Sequence, residues 1–160
     1  MKDIYIAFKE RLNGGKTSIE HISLWNNNVS RLEQERGFSL PAAFLEIEPI
    51  SWQQRTQGYR TAQVSVVVHI VFESLESPAD GSYFESEALQ TFDIIDEVTN
   101  ALIGAAGDNF NRWQHIGTEF DHNHDDVQHH QLSFNFQYAV ASPYSTGTAV
   151  TATPNIAMST

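Results

Sequence analysis

The sequence contains no cysteine. That excludes disulfides and thiolate metal sites, and it fits a reducing compartment. Positive charge is scarce as well: 9 Lys and Arg stand against 20 Asp and Glu, a formal net charge of −11. Gripping a phosphate backbone takes clusters of Lys and Arg, so this balance argues against nucleic-acid capture. No stretch reaches the roughly 20 apolar residues that cross a bilayer as a helix. The opening MKDIYIAFKERL lacks the uninterrupted apolar core of a signal peptide. Together these absences predict a soluble protein without a membrane partner, made and kept in a cytoplasm.

What is present is a long alternating strand. In Arg60–Glu73, the residues Ala62, Val64, Val66, Val68, Ile70 and Phe72 are apolar at every second position. Between them lie Thr61, Gln63, Ser65, Val67, His69, Val71 and Glu73. Period-2 patterning of this length puts one apolar face on an extended chain, and a run of β-branched residues favours a strand. A strand so long needs partners and a cover for its apolar face.

The rest of the chain supplies them. Asp3–Leu12 predicts an amphipathic helix with Ile4, Ala7, Phe8 and Leu12 on one stripe, ended by Asn13-Gly14-Gly15. Ile19–Trp25 predicts a short edge strand, and 26–37 a polar loop. Ala43–Ile50 and Ile50–Thr56 predict extended segments, the second anchored by Trp52, that pair antiparallel with Tyr59–Glu73. Pro49 bends the chain between them. After a loop over 74–81, Ser82 and Glu85 form a capping-box pattern. The helix behind it runs to about Ile103, with Phe84, Ala88, Phe92, Ile95, Val98 and Leu102 as the stripe that covers the sheet and Gly104 as its stop. Arg112–Asp121 and Val127–Ala141 predict a closing hairpin with a polar tip. The expected fold is α+β: an antiparallel sheet of about four to five strands packed against an N-terminal helix and one long helix. Residues 1–141 form a single domain, and 142–160 a polar C-terminal tail.

Several residue groups invite a chemical reading. Asp121, His122, His124, Asp125, Asp126, His129 and His130 crowd the hairpin tip, and imidazoles with carboxylates suit zinc, nickel or copper. Polar residues are also what a turn uses, and a working metal site draws on several segments. The expectation is therefore no metal, with adventitious nickel binding as the behaviour of the tip and a His-rich metal protein or enzyme as the competing class. His69 reads as a half-buried, hydrogen-bonded histidine, since no nucleophile motif accompanies it as a general base would require. Asp93, Asp96 and Glu97 read as a solvated helix stripe. Gly14-Gly15-Lys16-Thr17 has the end of a phosphate-binding loop, but Glu10 stands where that motif needs its first glycine, and a helix precedes it. Trp25, Trp52 and Trp113 read as core or interface anchors. A ligand held in a sheet–helix cleft is a third possibility. No catalytic, cofactor-binding or metal residue is assigned, and the protein is not expected to be an enzyme.

The opening MKDIYIAFKERL, the stretch SLPAAFLEIEPISWQQRTQGYRTAQVSVVVHIVFES, the helix ALQTFDIIDEVTNALIG and the closing strand HHQLSFNFQYAV together resemble small phage tail terminator (tail completion) proteins, especially those of Bacteroidetes phages and prophages. The resemblance spans roughly Met1 to Ala141 and lies in pattern and order. It implies a structural virion protein that forms a ring, usually a hexamer. Such a ring caps the tail tube and joins it to the head–tail connector or stopper. DNA passes through the lumen without specific binding, and an acidic ring lets a polyanion slide. The implied partners are copies of itself, the tail tube protein and the connector. The implied location is the tail or neck of the virion, with the host cytoplasm during assembly. A head-side neck or stopper protein is the nearest alternative.

Overall fold

A computed structural model of the 160-residue chain describes residues 1–26, 37–56, 58–73, 81, 85–121 and 127–141. The readings that fall on the loop after Trp25, the Ser82 capping box, the His122–Asp126 tip and the 142–160 tail lie outside the described residues.

The order is α1 (Lys2–Gly14), β1 (His21–Leu24), β2 (Ala42–Ile47), β3 (Gln53–Thr56), β4 (Tyr59–Glu73), α2 (Glu85–Leu102), β5 (Gln114–Asp121) and β6 (Val127–Ala141). The alternating strand is the spine. β4 pairs antiparallel with β6 along its whole length, from Tyr59 opposite Ala141 to Glu73 opposite Val127. The sheet runs β1-β2-β4-β6-β5, and β3 joins the Tyr59 end of β4. Among the described residues it has six strands, more than the four to five expected, because Pro49 and the residues around it split the Ala43–Thr56 segment into two strands on the same partner. One pair also departs from the antiparallel expectation: β1 lies parallel to β2, His21 opposite Ala42 and Leu24 opposite Leu45. The intervening segment is long enough to return the chain to the end where β1 began, which a tight hairpin cannot do.

The two helices among the described residues cover one face. Ile4, Phe8 and Leu12 of α1 and Ile94, Ile95, Val98 and Leu102 of α2 bury against Val64, Val66, Val68 and Ile70 of β4 and Leu132, Phe134 and Phe136 of β6. Each large apolar side chain so buried contributes about 1.5–3 kcal/mol, so this layer holds most of the folding free energy. Trp113, just before β5, is fully buried and stacks on Phe136 at 5.0 Å between centroids. Phe84 of the expected stripe lies outside the described residues, and among the others one differs from expectation. Phe92 is 52% exposed and Thr91 is buried, because the covering face follows 91, 94, 95, 98 and 102, a spacing of three, four and seven. Phe92 instead meets Phe120 of β5 at the rim of the sheet. Gly104 stands past the end of α2 with φ +75°, the left-handed conformation that glycine adopts without a Cβ clash. At the junction of the helices, a Cβ on Gly15 would meet the Ala101 Cβ at 2.9 Å, so glycine lets the two helices approach.

The opposite face is two-part. Near the β1 end, Ala42, Phe44, Val71 and Val127 form a small second cluster, capped by Trp25, Phe38 and Leu40. Beyond it the face carries Gln63, Ser65, Gln131, Ser133, Asn135 and Gln137, which the β4–β6 register places side by side.

Candidate functional site

Register on this second face assembles what the sequence scatters. Glu46 of β2 lies opposite Val67, one step along β4 from His69. His129 of β6 lies opposite Val71 and opposite Asp121 of β5. Because strand side chains alternate, all four project to the same side. They form a continuous chain across four strands. The Glu46 Oε2 is 2.8 Å from His69 Nε2, His69 Nδ1 is 2.9 Å from His129 Nε2, and His129 Nδ1 is 3.1 Å from Asp121 Oδ2. Trp25 lies over it, its indole parallel to the His69 ring at 3.8 Å and stacked on His129 at 5.5 Å. His69 and His129 are 4% and 3% exposed, whereas Glu46 keeps 44% of its side chain in solvent.

Burial pushes the His69 imidazole down, to about 4, and the neighbouring His129 adds to the push. The hydrogen bond and charge of Glu46 and the charge of Asp121 pull the other way without reversing it. Desolvation of a charged ring is the larger effect because the indole and the second imidazole shut out water.

His69 is hydrogen-bonded, as its sequence context implied, but it is fully buried. Of the tip cluster, Asp121 and His129 enter the array. His130 points to the helix side, edge-on to Phe72 and Phe120, while 122–126 lie outside the described residues. Asp93, Asp96 and Glu97 are exposed on α2, and Glu97 accepts hydrogen bonds from the Ser18 N–H and hydroxyl at 2.9 and 3.0 Å. Lys16 and Thr17 follow a helix, and the Thr17 hydroxyl donates to the Leu12 carbonyl at 3.0 Å. Trp25 caps the array, Trp113 is core, and Trp52 lies under the Arg60 guanidinium at 4.2 Å. Glu46 was not anticipated from sequence. In the sequence it is one of several glutamates on predicted strands, and only the β2–β4 register singles it out.

A second polar cluster ties down the start of α1. The N-terminal ammonium donates to Asp3 Oδ1 at 2.7 Å and lies 2.8 Å from the Tyr138 hydroxyl. Tyr138 in turn donates to Asp3, and the Asn109 amide donates to Asp3 Oδ2 at 2.9 Å. Burial raises the Asp3 carboxyl, but these hydrogen bonds outweigh it and hold its pKa at about 2. Burial, then the bond to Asp3, pushes the Tyr138 hydroxyl up to about 12. A cleft between Leu40 and Pro41 on one side and Gln90, Thr91 and Ile94 on the other measures about 250 Å³, below the roughly 300–1,000 Å³ of small-molecule sites. Among the described residues, no three His, Cys, Asp or Glu side chains are placed to hold a metal ion.

Neither a family model nor a curated relative matches the chain. Among solved structures, the chain is similar to one from a structure titled "Virion of native gene transfer agent (GTA) particle". The TM-score is 0.52 at 11% identity, over 88% of this chain and 96% of that one. At that identity the likeness is one of fold, and it runs nearly end to end in both chains.

Proposed function

We propose that the chain is a non-enzymatic structural protein of a virion, and within that class a tail terminator. The observation that carries this reading is the near-complete overlap in fold with a chain of a virion particle, joined to the sequence resemblance over Met1 to Ala141. The ring caps the tail tube, most commonly as a hexamer, and offers its other side to the head–tail connector or stopper. The subunit has the means to close a ring. Its sheet ends in two unlike strands, β1 and β5, and a closed ring joins two different faces of each subunit. Strand edges are natural joining elements, and the 142–160 tail is proposed as a further one. The net charge of −11 suits a ring whose passage a polyanion traverses without capture. Partners are then further copies, the tube protein, the connector and passing DNA. The location is the tail or neck of the particle.

Deleting the gene from a producing cell and imaging the particles tests the reading. Overlong or ragged tubes without joined heads are expected. Particles with tubes of normal length and heads attached would contradict it, and so would normal tubes beside leaking heads, which mark a head-side stopper.

A further inference from the structure

We propose that the Glu46–His69–His129–Asp121 array is a proton-binding site whose two imidazoles take up one proton between them and hold it as a unit. The count of hydrogens carries this. The array has three contacts at hydrogen-bond distance, 2.8, 2.9 and 3.1 Å, and each needs one proton. Ionised carboxylates supply none, and two neutral imidazoles supply two. If the outer nitrogens donate to Glu46 and Asp121, the two inner nitrogens face one another as bare lone pairs. If His69 Nδ1 donates to His129, its Nε2 lone pair faces the Glu46 carboxylate. One added proton closes the chain whichever gap it enters, so protonation belongs to the pair and not to either ring.

The geometry favours a proton over a metal ion at the centre. Two nitrogens on a tetrahedral zinc stand about 3.3 Å apart, from bond lengths near 2.0–2.1 Å. The separation of 2.9 Å is that of a hydrogen bond. A cation here also lies flat against the Trp25 indole, the best of the aromatic faces for positive charge. Among the described residues, the other titratable groups near the array are placed by register. Glu73 of β4 stands one row from Val71, Glu119 of β5 shares the row of His69 and Gln131, and His21 of β1 shares the row of Val71 and His129. His21 stacks on Phe38. Burial keeps the site empty of its extra proton at neutral pH, and acid fills it. Since Trp25 directly follows β1, the added charge arrives beneath the strand that ends the sheet. None of this depends on the ring reading.

Proton uptake can be followed ring by ring with carbon-detected imidazole NMR of the full chain between pH 8 and 4. His69 and His129 are expected to shift with one common midpoint, below the ordinary imidazole value of about 6.5. In Glu46→Gln, at the solvent end of the array, the common midpoint is expected to fall by about one pH unit in both rings, including His129, which Glu46 does not touch. Separate midpoints in the two rings would overturn the proposal, as would a His129 titration unmoved in Glu46→Gln. Zinc chloride added to the native protein is expected to leave both rings unperturbed. Stoichiometric zinc binding that shifts both would make this a metal site and overturn it too.

Discussion

At the scale of the residue, His69 and Asp3 both withdraw stability as pH falls, each over its own range. The His69 imidazole is held near 4 in the fold and returns to about 6.5 when the chain unfolds. Between these values the unfolded chain binds more protons, so stability is full above about 6.5 and falls as pH drops toward 4. The loss is expected to be on the order of 3–4 kcal/mol, at about 1.4 kcal/mol per pH unit. Urea unfolding across that window measures it, and His69→Gln is expected to flatten the slope while lowering stability at pH 7. The Asp3 carboxyl is held at about 2, so its contribution is present above the ordinary 3.8 and disappears as pH falls through about 2. Asp3→Asn should therefore cost stability near neutrality, and its deficit relative to the native chain should vanish in strong acid. A deficit that persists unchanged at pH 2 would show that the N-terminal network acts by shape alone.

At the scale of the element, α2 and β5 meet along a rim that is apolar without being core. Phe92 and Leu89 of α2 and Ile116 and Phe120 of β5 are about half exposed, and a bulge between His115 and Gly117 turns that strand's edge. In the ring reading a second copy covers this rim. Phe120→Glu is thus expected to leave unfolding free energy within about 0.5 kcal/mol of native while lowering self-association at least tenfold by sedimentation. Core positions behave differently. Phe134→Ala, beneath Trp113, should cost about 3–5 kcal/mol. Gly15→Ala, where the added carbon meets Ala101, should cost about 1–3 kcal/mol through crowding. These elements were legible because one periodicity controls each: period two in Ala62–Phe72, three and four in Ile95, Val98 and Leu102. Phe92 misled because a stripe drawn at 88, 92 and 95 is one residue from the true one, and hydrophobicity alone does not choose between neighbouring stripes. The parallel seat of β1 was not legible, since four residues carry no signal of direction.

At the scale of the whole molecule, the array shows where sequence reading stops. Asp121 and His129 could be seen as neighbours in a hairpin. Nothing in sequence joins them to His69 or Glu46, which enter through the registers of β4 against β6 and β2 against β4. Strand parity fixes which side a residue faces, whereas which rows adjoin depends on long-range pairing. The same holds for assembly. A charge of −11 and a sheet with two unlike ends are visible in one chain, but the closure of subunits on one another is a property of many.

The most direct measurement is native mass spectrometry of the untagged full chain at tens of micromolar, paired with electron microscopy of the same sample. A single closed ring with a central opening, most commonly of six subunits, is the expected result. A monomer at every concentration, or an open-ended series of oligomers without a ring, would contradict the account.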